Sequence, residues 1–112
     1  MSTVNELYKE HEALKREGKN EEAIAKLEAL LQQDDKHVMS HLALAVLYGK
    51  VEQHDRAVAH AERAVELEPQ DWFNWMALST TYQRAFEATR DRQYIFRAED
   101  AKRRSQEAQW QR

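Results

Sequence analysis

The chain has 112 residues and a net charge of −3, and 42% of its residues are hydrophobic. That hydrophobic fraction argues against a disordered chain, and the length is that of one ordinary domain. One proline, two glycines and no cysteine argue against a turn-rich all-β fold and exclude disulfides, a thiol nucleophile and a thiolate metal site.

The charge is unevenly distributed along the chain. Residues 84–112 hold eight Arg or Lys against five Asp or Glu, so they carry +3 and residues 1–83 carry −6. A segment at +3 is too weakly basic to predict nucleic-acid binding. The first 18 residues lack the apolar segment of a signal peptide, and no apolar run approaches the ~20 residues that cross a bilayer. We therefore expect a soluble cytoplasmic protein that binds neither nucleic acid nor a membrane.

The dominant pattern in chain order is a period of 34 residues. A shift of 34 aligns Leu14 with Tyr48 and Tyr82, and Ala23 with Ala57. A fixed period of this length is typical of repeat architectures. It predicts a single domain over residues 1–112, built from three units at about 4–37, 38–71 and 72–108.

Each unit is predicted to contain two helices. The first helix has apolar residues at helical spacing, and a short polar break follows, in which Asn20 and Asp55 are the expected N-caps. The second helix carries small residues three or four apart, such as Ala57 and Ala61, which allow two helices to approach closely. Pro69 follows the second helix of the middle unit, where a residue that cannot continue a helix is expected.

The third unit loses the register after Phe86. Residues 88–93 are predicted to lengthen the turn, and a last helix is predicted to extend to Trp110. Small residues form a stripe on that helix, so we expect it to act as an extended cap. Three large apolar residues lie away from the stripe and make a homodimer credible: Ile95, Phe96 and Trp110.

These features resemble the tetratricopeptide repeat family. The family has an aromatic residue, Leu-Gly and Tyr in its first helix, then Ala, an aromatic residue and Ala in its second helix, then Pro. The middle unit matches through Leu44, Ala45, Tyr48, Ala57, Ala64 and Pro69 and departs at His41 and Ala61. The resemblance implies an all-α fold of three helix-turn-helix repeats in a short right-handed superhelix, with the first helices on the concave face.

The resemblance also implies which side chains face the concave groove, with Lys15 among its positions. The candidate peptide-binding residues are Tyr8, Glu12, Arg16, Met39, Leu42, Val46, Lys50, Phe73, Met76, Thr80 and Arg84. The apolar members form a candidate patch for anchoring side chains. Arg16, Lys50 and Arg84 are 34 residues apart and are expected to form a row of cations along one edge.

Together these residues predict a groove for a protein or peptide partner with apolar anchors and acidic groups. Two alternatives stay open. The three cations complement helix dipoles without contacting a ligand, or the apolar patch is covered by self-association. Many family members grip a C-terminal carboxylate with Lys, Asn and Arg, but the corresponding residues here are Tyr8, Glu12, Ala43, Phe73 and Ala77, so that clamp is absent.

Metal binding and catalysis find little support in the sequence. His37 and His41 are four residues apart, but no third ligand stands at a supporting distance, and His37 is expected to begin a helix. His11, His54 and His60 are interpreted as surface residues. There is no glycine-rich phosphate loop, and Thr80 has no evident base. We expect a non-enzymatic protein without metal or cofactor.

The aromatic residues that open the third unit divide by register. Trp75 falls on a packing position together with Leu78 and Tyr82 and is expected in the core. Phe73 is expected to face the groove. The position of Trp72 stays open, either at the turn between repeats or at the rim of the groove.

Overall fold

The computed structural model describes residues 2–111, which form six α-helices and no β-strand over that range. The helices are α1 (Val4–Arg16), α2 (Asn20–Gln33), α3 (Val38–Lys50), α4 (His54–Leu67), α5 (Trp72–Thr89) and α6 (Gln93–Trp110). Three helix pairs, α1/α2, α3/α4 and α5/α6, stack in chain order, and the second helix of each of the first two pairs contacts the next pair. The predicted all-α fold of three helix-turn-helix units is confirmed.

The N-caps of the first helices recur every 34 residues, at Thr3, His37 and Asp71. Thr3 forms a capping box with the first turn of α1. His37 Nδ1 accepts a hydrogen bond from the backbone N–H of Ser40 at 3.3 Å, and the Asp71 carboxylate accepts one from the backbone N–H of Phe73 at 3.0 Å. Three different side chains therefore satisfy the free N–H groups at the same helix position, and the expected place of His37 at a helix start is confirmed.

The ends of α1 and α3 form the same backbone turn. Gly18 and Glu52 adopt left-handed conformations, with φ of 78° and 62°. The N–H groups of Lys19 and Gln53 then donate to carbonyls five residues earlier, at 2.9 and 2.8 Å. This is the Schellman motif, which satisfies carbonyl groups at a helix C-terminus.

The N-caps predicted at Asn20 and Asp55 are wrong. The observed N-caps are Lys19 and Gln53, and neither side chain makes a capping hydrogen bond. The physical reason is that the residue whose N–H closes each Schellman turn is also the N-cap of the next helix. No residue is left between the Schellman turn and the next helix to act as a separate side-chain cap, and Asn20 already lies inside α2.

The third pair differs from the others in the length of its first helix. The lengthened turn predicted at residues 88–93 is wrong, because α5 continues to Thr89 and has 18 residues against 13 in α1 and α3. Residues 86–89 contain neither Gly nor Pro, so the helix ends only where Arg90 adopts φ 61°. The prediction that α6 extends to Trp110 is confirmed, and its 18 residues exceed the 14 of α2 and α4.

Two clusters of buried side chains form the core at the junctions between pairs. The first includes Leu27, Leu44 and Leu47 and joins the first two pairs. The second includes Ala61 and Leu78 and joins the last two pairs. The predicted stripe on α6 is also confirmed, because its small residues are buried or half-buried against α5: Ala98, Ala101, Ser105 and Ala108.

The core position predicted for Leu78 and Tyr82 is confirmed, since both are buried. Trp75 is half-buried against the same cluster, and its Nε1–H donates to the carbonyl of Pro69 at 2.7 Å. The Tyr82 hydroxyl donates to the Glu62 carboxylate at 2.6 Å. Trp75 therefore both packs in the third pair and anchors the turn that precedes it.

Substitutions at Gly18 and Glu52, the left-handed residues at the ends of α1 and α3, are expected to have opposite effects on stability. Glu52→Gly is expected to raise the free energy of unfolding by about 0.5–1 kcal/mol, because glycine adopts positive φ without steric cost. Gly18→Ala is expected to lower it by about 1 kcal/mol. A Cβ at Gly18 meets no atom within 4 Å, so the effect there is purely conformational. Urea unfolding measures both changes, and a destabilised Glu52→Gly variant contradicts the assignment of strain.

Candidate binding groove

A groove of about 500 Å³ runs along the first helices of the three pairs. It lies mainly between α1 and α3, because α3 packs closely against α5 but not against α1. Eight of the candidate residues line it: Tyr8, Glu12, Arg16, Met39, Leu42, Val46, Lys50 and Phe73. Side chains that are far apart in the sequence therefore share one concave surface.

Three candidate residues lie elsewhere. Met76, Thr80 and Arg84 are exposed on α5 but do not line the groove. The reason is the close contact of α3 with α5, which leaves the groove open towards α1 and keeps most of α5 outside it. Trp72 also lies outside the groove, and its carbonyl accepts a hydrogen bond from Ser105 Oγ at 3.0 Å.

Four further residues line the groove. Lys15 is one of the groove positions implied by the family resemblance, and Ala43 and Ala77 are two of the clamp positions. His11 alone has no counterpart among the sequence predictions. The sequence could have indicated that His11 is unusual. At steps of 34 residues its position is equivalent to those of Ala45 and Ser79, so the other two repeats have small residues there.

The apolar part of the groove combines half-buried and exposed side chains. Leu42 and Val46 are half-buried, whereas Met39 is 57% and Phe73 52% exposed. Large apolar side chains with that much free surface at a concave site are typical of a surface that contacts another molecule. Methionine adds a flexible side chain that adapts to different partners.

The cationic part lies at the C-terminal ends of α1 and α3. Lys15, Arg16 and Lys50 all line the groove, and within residues 2–111 none of the three forms an ion pair. Arg84 lies outside, so the row of three cations expected from the 34-residue spacing does not face one groove. All four charges are exposed and therefore subject to screening by salt.

The interpretation of His11 as a surface residue is wrong. His11 is only 3% exposed, and its Nδ1–H donates to the carbonyl of Tyr8. The two rings meet edge to face, with 4.4 Å between their centroids. Burial lowers the pKa of His11, while the hydrogen bond to the Tyr8 carbonyl and the nearby Glu12 oppose that effect and Lys15 adds to it.

His60 was also interpreted as a surface residue, and this is wrong as well. The Nδ1 atoms of His60 and His41 are 2.9 Å apart, and His41 Nε2–H donates to the carbonyl of Asp35 at 2.8 Å. The other nitrogen of His60 faces the Glu28 carboxylate at 3.5 Å, and the ring stacks on Tyr48. Burial lowers the pKa of His60, Glu28 opposes this, and His41 adds to it.

The His41–His60 pair occupies the place that a tryptophan has in the next repeat. His41 is in register with Trp75, and Asp35 with Pro69. His41 and Trp75 each donate a ring N–H to the backbone carbonyl of the turn before their helix. His41 donates to Asp35 at 2.8 Å, and Trp75 donates to Pro69 at 2.7 Å. Since His41 Nε2 carries that proton, its Nδ1 accepts one from His60, and the neutral pair forms a complete hydrogen bond.

Neither histidine pair forms a metal centre with a third ligand. Over residues 2–111 no group of three or more His, Asp or Glu side chains is arranged to hold a metal ion. His37 and His41 do not act together, because His37 caps α3 whereas His41 pairs with His60.

The repeat geometry and the sequence pattern agree with a known family. The family model described as "Tetratricopeptide repeat" matches residues 14–85, well over half of the chain. The protein belongs to the tetratricopeptide repeat family, whose repeats are generally protein–protein interaction modules and typically non-enzymatic scaffolds.

A solved structure shows the same fold. The chain is similar to the crystal structure of MamA, with a TM-score of 0.83 and 14% sequence identity. The match covers 97% of this chain and 60% of the MamA chain, so this chain spans less than two thirds of the length of that chain. No curated protein sequence matches this chain significantly.

The helices were also compared with the length and hydrophobicity needed to cross a bilayer. Within the described part of the chain, no helix is both long enough and apolar enough to do so.

Buried His11 and half-buried His60 predict a loss of stability in mild acid. Their folded-state pKa values lie below the ordinary 6.5, so the unfolded chain takes up protons first as the pH falls. The stabilisation is fully present above pH 6.5 and is lost below it, by up to about 1.4 kcal/mol for each unit of pKa difference. Urea unfolding between pH 7.5 and 5.5 measures the loss, which His60→Gln is expected to reduce.

Proposed function

We propose that this protein is an adaptor module that binds a peptide segment of a partner protein in the groove between α1, α3 and α5. The observation that carries the proposal is the shared groove itself, which brings exposed apolar side chains together with cations that have no acidic partner among residues 2–111. The proposal assigns no chemical step and no metal or cofactor to the protein. It also places the protein in the cytoplasm, a reducing compartment that a cysteine-free chain suits.

The apolar side chains supply the anchor of the proposed site. Phe73 and Met39 project from neighbouring helices above half-buried Leu42 and Val46. An aliphatic or aromatic side chain of the partner is expected to insert between them, because burial of apolar area is the main source of affinity in such grooves.

The cations supply the selectivity. Lys15, Arg16 and Lys50 lie at one end of the groove without acidic partners among residues 2–111, so an acidic segment of the partner complements them. Because these groups are exposed, their contribution is expected mainly in association rate and in salt dependence rather than in affinity.

The partner is expected to present an internal segment rather than a chain end. All five positions of the carboxylate clamp line the groove, but they are Tyr8, Glu12, Ala43, Phe73 and Ala77. None of these side chains is a cation, and the charge of Glu12 repels a terminal carboxylate. A groove of this composition favours side-chain anchors over a terminal charge.

Alanine substitutions of Phe73 and Met39 test whether these side chains anchor the peptide. A labelled peptide of about ten residues, alternating Glu with Leu or Phe, extends to roughly 33 Å and spans the 34 Å width of the domain. Phe73→Ala and Met39→Ala are each expected to weaken its binding at least five-fold or so, the usual effect of truncating a central anchor. Fluorescence anisotropy measures the affinities.

Met76→Ala is the control for these variants. Met76 is 45% exposed, lies on the same helix as Phe73 and stands outside the groove, so its truncation is expected to leave affinity unchanged. Equal losses in Met39→Ala and Met76→Ala contradict the proposed groove.

A second candidate function is self-association through α6. Phe96 is 71% and Trp110 88% exposed, and Ile95 also has a large free surface. Large exposed side chains at the last repeat of a stack suit contact with a second copy.

Sedimentation velocity over a hundred-fold or so range of concentration separates this function from a monomeric adaptor. Self-association through α6 predicts a mass that rises with concentration and returns to the monomer value in Phe96→Ser/Trp110→Ser. Met76→Ser, which removes an exposed apolar side chain from another helix, is expected to behave as the wild type. A constant monomer mass at all concentrations contradicts self-association through α6.

A further inference from the structure

His11 is the one buried side chain among the residues that line the groove, and the repeat pattern does not account for it. In the two other repeats the same position holds Ala45 and Ser79, both small and buried. A small residue there is sufficient for the two helices of a pair to pack. An imidazole at this position is therefore a departure from the repeat, and it lies at the groove.

The hydrogen bonding of His11 leaves one ring nitrogen without a partner. The Nδ1–H donates to the Tyr8 carbonyl, which places the lone pair of the neutral ring on Nε2. Within residues 2–111, Nε2 makes no hydrogen bond, and the ring lines the groove. An acceptor atom without a protein partner at the wall of a groove is available to contact a ligand.

The charges around His11 favour an anion. On its own helix, Glu12 precedes Lys15 and Arg16, and α3 contributes Lys50 across the groove. His37, the N-cap of α3, also lies against Tyr8, with 5.6 Å between the ring centroids, and on the α2 side Lys26 is already paired with Glu10 at 3.6 Å. Three cations against one free carboxylate leave a net positive surrounding for the ligand.

We propose that His11 is a contact residue for a carboxylate side chain of the bound peptide, and that it takes up a proton when that carboxylate binds. This inference rests on the proposed function of the groove. The proton joins Nε2, which then donates a charge-assisted hydrogen bond to the ligand carboxylate while Nδ1–H keeps its bond to Tyr8. Burial disfavours the imidazolium in the empty groove, and the bound carboxylate compensates for that cost.

Proton uptake makes the affinity for an acidic peptide depend on pH. Below pH 8 the protein binds more protons in the complex than alone, so affinity rises as pH falls, with an upper limit of about ten-fold per pH unit for one proton. The glutamates of the peptide titrate near pH 4.3 and stay charged from pH 8 to pH 6, so they do not cause the change.

The experiment measures binding of the Glu-containing peptide and of a counterpart with every Glu replaced by Gln. Between pH 8 and pH 6, the wild-type affinity for the Glu peptide is expected to rise between about two-fold and ten-fold, and the affinity for the Gln peptide to stay constant. His11→Gln is expected to abolish the rise. His54→Gln, which changes a histidine outside the groove, is expected to retain it.

A measurement on the unmodified protein guards against a misfolded variant. The ¹⁵N chemical shift of His11 Nε2 is expected to change from an unprotonated to a protonated value at pH 7 when the Glu peptide is added. An unchanged shift, or an equal pH dependence in the wild type and His11→Gln, overturns the role of His11.

The outcomes also separate this role from the function of the groove. Binding that depends on Phe73 but not on pH overturns only the role of His11. Failure of both peptides to bind at any pH overturns the proposed function of the groove for such peptides, and the role of His11 with it.

Discussion

The close approach of the two helices within each pair is the contact on which the rest of the structure depends. It requires small side chains at fixed positions, which Ala23, Ala57, Ala61 and Ala64 supply with essentially no exposed surface. Of these alanines, all but Ala64 lie in clusters with larger side chains such as Leu27, Leu44 and Leu78, which join one pair to the next. The stack of pairs follows from that shared packing.

The second repeat shows how one structural position accepts different chemistry. Trp75 and His41 both anchor the preceding turn with an N–H group, and His41 also pairs with His60. The replacement keeps the hydrogen bond to the preceding turn. Positions at which one repeat departs from the other repeats, such as His41 and His11, are therefore informative by themselves.

The groove arises from unequal spacing between the first helices. α5 lies close to α3, whereas α1 is held by α2 and stands away from α3, so the apolar and cationic side chains of α1 and α3 stay open to a ligand. Phe73 reaches the groove because it lies in the first turn of α5, and Arg84 does not because it lies three turns further along. The same packing that stabilises the stack thus selects which side chains are available to a partner.

The sequence by itself determined the period, the number of helices, most of the core and the long last helix. These follow from local spacing of small and apolar residues, which repeats within each unit and needs no knowledge of distances between units. Tertiary structure decided what depends on how the pairs sit together: the Schellman turns that displaced the N-caps, the pairing of His41 with His60, and the absence of Arg84 from the groove. The physical reason is that the position of a residue within the repeat determines on which face of its helix the side chain lies. Which other side chains that face contacts depends on the distances between the helices.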